Sequence, residues 1–239
     1  MDELKSMVLE SAAYQQKQRA QYTPRFFMER FGELIKKQDI QEYVENAFLF
    51  SCEIAESLVT DIEINKNIHN KCLKGCSHCC TQPIQILEAE RIVIINKINR
   101  DFSPEDKRKI KHAIKQFQKD LRSKVGAVKH TSKFRQDYLK QGLYCPFLGE
   151  DGACSIYNSR PINCRTYYEY ISPESCERQD YSDTSIAFED AQFTIYFMLK
   201  NALIAYAEYH GIDYIFLWDR YVNKNNIELL PFSVNTNDF

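Results

Sequence analysis

Apolar residues recur at helical spacing along most of this chain. Between residues 40 and 66 they fall at Val44, Ala47, Phe48, Ala55, Leu58 and Ile62, one face of a long helix. Asp39 precedes it and Glu42 follows three residues on, the form of a capping box. Upstream, residues 2–20 read as a polar, Gln-rich helix. Thr23 with Pro24 reads as an N-cap and first helical position, opening a helix to about Lys37. Cys52 sits among apolar positions and is expected to be a buried core thiol.

Further on, Gln85-Ile86-Leu87 is short enough to be extended, and Glu88 to Asn99 reads as an apolar helix. Ser103-Pro104-Glu105-Asp106 is a strong helix start. Behind it Ile110, Ile114, Phe117, Leu121 and Val125 form an apolar stripe. The opposite face carries Lys107, Arg108, Lys109, Lys111, Lys115, Lys119, Arg122 and Lys124. Such a face can bind a polyanion, but charge runs are usually solvated helix faces. The acids Glu174, Glu177, Asp180, Asp183, Glu189 and Asp190 offer it an internal counterpart, so nucleic acid is not an expected partner.

Cys145 to Tyr157 reads as a small hairpin turning at Asp151-Gly152. Asn158-Ser159-Arg160-Pro161 then opens a short helix carrying Cys164 and Arg165. Asp183 or Thr184 is expected to cap a long helix ending at Gly211. Between Phe188 and Tyr206 that helix is apolar on nearly every side, which predicts a central, buried position. Trp218 and Tyr221 lie in a further helix or edge element. The expected fold is mainly α: one helical domain over residues 1–239, with a small β-hairpin beside a cysteine-ligated metal site. Helices at 2–65 and 183–225 flank a cysteine module at about 70–170.

Composition changes this picture little. The 239 residues are 44% apolar and 27% charged, with a formal net charge of -2 and only seven Gly and seven Pro. These values fit a globular, helix-rich protein without a global pull towards nucleic acid or anionic lipid. The N-terminus lacks the apolar core of a signal peptide. The stretch from Phe193 to Ala207 is interrupted by Lys200 and Asn201 and is too polar to span a bilayer. A cytoplasmic location without a membrane partner is therefore expected. There nine cysteines read as metal ligands rather than disulfides.

Four of them, Cys72, Cys76, Cys79 and Cys80, fall within nine residues. Thiolates crowded this way repel and oxidise unless a metal or cluster binds them. Cys145, Cys154 and Cys164 form a second group, with Cys176 an outlier. All seven of the grouped cysteines are candidate metal ligands. Gly75 lets Cys72 and Cys76 turn towards one centre. Cys79 and Cys80 are adjacent, so their side chains are expected to diverge, serving two centres or leaving one to pack. Only Cys76 and Cys79 have the two-residue spacing of a zinc ribbon, and the second group is spaced by nine and ten. That irregularity favours an iron–sulfur cluster, with zinc the alternative. His78 is expected to face solvent or support a ligand. Arg160 and Arg165 are expected to donate to thiolates or carbonyls, and Tyr157 to pack at the site edge.

Cys-x3-Cys-x2-Cys-Cys, then Cys-Pro-Phe-Leu, Cys-x-Ile-Tyr and Arg-Pro-x-x-Cys-Arg, together resemble the YkgJ-type cysteine-cluster family. The matching residues are Cys72, Cys76, Cys79, Cys80, Cys145, Pro146, Leu148, Cys154, Ile156, Tyr157, Arg160, Pro161, Cys164 and Arg165. The resemblance covers about residues 70–170 and implies a zinc- or iron-chelating domain. The family includes flagellin lysine-N-methylases, so it also implies a protein partner or protein substrate and allows a modifying enzyme. Cys72-x3-Cys76-x2-Cys79 equals the spacing of radical S-adenosylmethionine enzymes, which admits S-adenosylmethionine as a cofactor. His78 replaces the usual aromatic there, and no alternation of strands and helices builds their barrel. The expected function is to hold an iron–sulfur cluster, of the 4Fe–4S type, through these cysteines, and three uses stay open: a cofactor-dependent modifying enzyme, an electron-transfer module, and a zinc-stabilised interaction protein.

Overall fold

Two long helices organise the molecule, and the local sequence explains where each begins and ends. The computed structural model describes residues 2–72, 75–126, 132–170, 185–187, 189–222, 228–229 and 237–239. Helix α1 spans Asp2–Arg19, α2 Pro24–Lys36 and α3 Ile40–Lys66. Thr23 Oγ1 accepts from Phe26 N, and Pro24 follows at the first helical position. Asp39 accepts from the backbone N–H groups of Gln41 and Glu42 and so starts α3. Glu42 does not close the expected box. Its carboxylate turns instead to Lys37 Nζ at 3.3 Å. Asn67, at φ +51°, stops α3 in the left-handed conformation that its short polar side chain tolerates.

The second organising helix, α8, begins at Glu189 and ends at His210, before Gly211 at φ +66°. It does not begin at Asp183 or Thr184. Strand β3, Ser185–Ala187, occupies the intervening chain and pairs with β2, Tyr167–Glu169. Residues 183 and 184 themselves lie outside the described residues, as does most of the acidic stretch expected to face the basic helix. Helix α8 packs along α3, with α1 and α2 against its other sides and α9 (Tyr214–Tyr221) at its end. It is central, yet not apolar all round at contact. Phe193 and Phe197 leave a narrow exposed strip, and Arg19 lies 5.8 Å over the Phe197 ring. Buried polar bonds fix the helix register. Tyr43 donates to Ala202 O at 2.8 Å, Asn201 to Tyr22 O and Thr194 to Gln15.

Helix α4 spans Glu88–Asp101 and α5 Pro104–Lys124, the latter capped by Ser103 accepting from Asp106 N. Ile94, Ile95 and Ile98 of α4 meet Ile110 and Ile114 of α5 in a second core that also takes Phe147 and Ile156. Helix α6, Ser132–Leu139, carries a third small cluster in which Phe134 and Tyr138 meet Phe117 and Leu121. No start signal in the sequence announced α6. Among the described residues, strands form two short antiparallel pairs. One is β2 with β3, and the other is β1 (Gln85–Ile86) with β4 (Glu228–Leu229). The hairpin at 145–157 is reduced to a turn closed by a single bridge, Leu148 to Cys154. The architecture is mainly helical, as the periodicity predicts. No described helix is long and apolar enough to cross a membrane.

Candidate metal centre

The thiols arrive on three pieces of chain whose backbones are tied together. Chain 71–72 leaves α3 and bonds to β2: Lys71 N donates to Glu169 O at 2.6 Å, and Glu169 N donates to Cys72 Sγ at 3.4 Å. Residues His78–Thr81 form a 3-10 turn, held by Cys80 N to Ser77 O at 2.9 Å. The second piece joins the first where Cys145 N donates to Cys80 O at 2.8 Å. Its turn is built on Gly152 at φ +75°, and a Cβ there would lie 3.1 Å from Gly75 O. Gly75 is itself at φ +94°. The two glycines therefore let the hairpin tip lie directly on the first cysteine loop. The third piece is α7, Ile162–Arg165, with Cys164 N bonded to Pro161 O.

Acidic side chains of the long helices hold this third piece. Glu90 of α4 accepts from Leu87 N at 2.6 Å and from Ile162 N at 2.7 Å. Burial raises its carboxyl to about 7, against the lowering effect of those two donors. Glu56 of α3 accepts from Arg160 Nη2 at 3.2 Å and from Arg165 Nη1 at 3.1 Å. One helical face further along, Glu63 accepts from Tyr170 Oη at 2.7 Å and Asn70 Nδ2 at 2.9 Å. Glu56, Glu63 and Glu90 are the functional neighbours that pattern reading missed. Their signal is faint but present: each is an acid set among apolar positions on a helix face that packs inward.

Cys72 is exposed and the other six candidate thiols are half-buried. Burial pushes Cys145 up to about 12 and also raises Cys72, Cys154 and Cys164. Neighbouring thiols add to that rise. Cys164 feels Cys145, Cys79 and Cys154. Cys145 feels Cys154 and Cys79, and Cys154 feels Cys79. Cys79, Cys145, Cys154 and Cys164 thus form a set in which every pair interacts. Cys80 joins through Cys79, Cys145 and Cys154, whereas Cys72 joins through Cys79 and Cys76.

Cys79 and Cys80 do not diverge. A hydrogen bond between their side chains lowers Cys79 and raises Cys80. A strand would send neighbouring side chains to opposite faces, but the 3-10 turn sets them about 120° apart, close enough for two short thiols to meet. His78 heads that turn and is half-buried. Tyr157 is exposed and lies flat against Arg160, 4.2 Å from its guanidinium carbon. Arg165 donates to the carbonyls of Arg160 and Asn158, as expected, whereas Arg160 donates to the Glu56 carboxylate. Cys52 is 1% exposed and sits in the helical core. Cys176 lies outside the described residues.

The seven thiols are neighbours rather than a finished coordination sphere. Among the described residues, no three His, Cys, Asp or Glu side chains are gathered closely enough to hold an ion. The donor chemistry nonetheless fits a soft metal or a cluster. Each thiol opposes ionisation of the next, and a bound cation is what reverses that sign. A buried donor among them, Arg160 Nε, has no acceptor. The CxxCxxCC family model, described as "Putative zinc- or iron-chelating domain", matches residues 71–186. No curated protein and no solved structure matches the chain.

Proposed function

We propose that the chain, whose residues 71–186 match the zinc- or iron-chelating CxxCxxCC family model, holds a 4Fe–4S cluster through thiolates of this module. The observation that carries the reading is the mutually interacting set of Cys79, Cys145, Cys154 and Cys164, drawn from three separate pieces of chain. Four thiolates suit one cluster or one zinc ion. The uneven spacing and the surplus of thiols favour the cluster, because a zinc ribbon takes two regular pairs. Cys80 stands next to the set, and Cys72 with Cys76 forms an outer pair towards solvent.

A cluster held by all four thiolates would supply one-electron chemistry, and one held by three of them would leave an iron open to a further ligand. The chain's own residues do the rest. Cys79, Cys145, Cys154 and Cys164 give up their protons and bind. Phe147 and Ile156 pack beneath them and keep water from the inner side. Glu56 and Glu90 hold Arg160, Arg165 and α7 in place.

Anaerobic purification with metal analysis and visible spectroscopy tests this. A brown protein with iron and acid-labile sulfide in equal amounts is the expected result. A colourless protein with stoichiometric zinc would reject the cluster in favour of a zinc-stabilised interaction protein. Adding S-adenosylmethionine to the anaerobic protein tests the methylase-like role that the family resemblance implies. An altered spectrum supports that role, and an unchanged one speaks for an electron-transfer module.

A further inference from the structure

Arg160 and Arg165 belong to one network but are partnered differently. Arg165 has acceptors on all three nitrogens: Nε on Arg160 O at 2.8 Å, Nη1 on Glu56 and Nη2 on Asn158 O. Arg160 shares Glu56 through Nη2 and lies on the Tyr157 ring. Its Nε is shut off from solvent and meets no acceptor. A buried N–H left in that state costs about 1–3 kcal/mol, more on a charged group, so such atoms mark a missing partner.

The chain also fixes where this donor sits. Pro161 restricts the residue before it to extended backbone, and Arg160 has φ -63° and ψ 149°. Glu56 and Tyr157 then clamp the guanidinium from two sides. Its positive charge helps to lower Cys79 and opposes the rise that burial gives Cys154 and Cys164, and it reaches the core thiol Cys52 as well. A neutral thiol is a weak acceptor, whereas a metal-bound thiolate keeps lone pairs that accept N–H donors well.

Resting on the metal-site reading above, we infer that the Arg160 Nε–H group is the hydrogen-bond donor to a metal-bound thiolate of the Cys79, Cys154 and Cys164 group. Arg160 is then a positioning residue that stabilises the ligand's negative charge. Arginine suits this because it stays charged at all working pH values and its planar fork can grip Glu56 while leaving Nε for sulfur. Lysine carries the charge but not the fork.

Two measurements on the full chain test the inference. The first uses wild-type protein loaded with a spin-half cadmium isotope and labelled at arginine nitrogen. A scalar coupling between cadmium and the Arg160 Hε proton is expected, since such coupling passes only through an N–H···S–metal hydrogen bond. The second compares zinc affinity by chelator competition in Arg160→Lys and Arg160→Gln. Supporting groups around metal ligands commonly change affinity by about 10–100-fold, and a loss of that size is expected here. Wild-type protein that binds cadmium without coupling to Arg160 Hε overturns the inference and leaves the metal site standing. Unchanged zinc affinity in both variants does the same. Wild-type protein that binds neither zinc, cadmium nor iron overturns the metal-site reading itself. Should the variants fail to fold, the wild-type coupling decides alone.

Discussion

At the scale of single residues, the cysteines divide by surroundings rather than by sequence neighbourhood. Cys52 is enclosed by helical core, and burial raises its thiol far above the usual range. Cys164 is half-buried and interacts with three other thiols. Cys164→Ser and Cys79→Ser are therefore expected to lose metal and lower the melting temperature. Cys52→Ser should retain metal while losing about 1–3 kcal/mol from its buried hydroxyl. Equal metal loss in all three, read by elemental analysis, would contradict the ligand assignment. Glu90 gives a pH signature. Burial pushes its carboxyl up to about 7 in the folded chain, from the ordinary 4.5 of a free glutamate. The folded state thus binds the extra proton between those values, and the charged form carries the cost above them. Stability should fall as pH rises from about 4.5 to about 7, and be lower by a few kcal/mol beyond it. Denaturant titration across that window should show a downward slope that Glu90→Gln removes. The thiols were legible in the sequence because clustered cysteine is rare. Glu56, Glu63 and Glu90 were not, because an acid on an amphipathic helix is ordinary until its partner is known.

Elements were legible where local chemistry decides them. Thr23-Pro24, Asp39 and Ser103-Pro104 satisfy orphan N–H groups from within their own segment, so α2, α3 and α5 begin where the pattern says. Ser103→Ala should cost about 1 kcal/mol without changing metal content, since α5 touches the site only through the second core. Gly152→Ala should behave differently. Its φ of +75° and the 3.1 Å approach to Gly75 O make a side chain strained and crowded at once. A loss of about 1–2 kcal/mol is expected, together with weaker metal binding, because the contact lies between two thiol-bearing pieces. Thermal melts of both variants with and without metal separate the two cases. The start of α8 was misread for a tertiary reason. Ser185–Ala187 is drawn into pairing with β2, and a strand partner 18 residues away in sequence outweighs a local cap. The Asp151-Gly152 turn forms, but its hairpin keeps one bridge, since Cys145 N at its foot donates out to Cys80 O.

For the whole molecule, the candidate metal site lies between the first and second cores. Chain 72–80 follows α3, chain 145–154 follows α6 and rests on the second core, and Cys164 sits between Glu56 of α3 and Glu90 of α4. An ion bound by ligands from all three cross-links the fold, so its binding free energy adds to stability. Removing metal with a strong chelator under reducing conditions should lower the melting temperature by about 5–10 °C, as expected for a ligand at roughly a hundred times its Kd in a chain of this size. Helical circular dichroism should largely survive at low temperature, because α3 and α8 pack through the first core and not through the thiols. Loss of most helical signal on chelation would show that the metal nucleates the fold instead.

The sequence alone determined the helical class, most helix starts, the burial of Cys52 and the identity of the seven candidate ligands. Each of these follows from periodicity, capping or residue rarity, which act over a few residues. Only the tertiary structure decided which thiols from separate pieces of chain interact, and that Arg160 and Arg165 take different roles. Those outcomes depend on hydrogen bonds and charges between residues 70 to 110 positions apart, as in Arg160 and Arg165 on Glu56 and Glu90 on Ile162. No local pattern records which distant carbonyl, carboxylate or sulfur will lie within 3.5 Å, because packing of the long helices sets that distance.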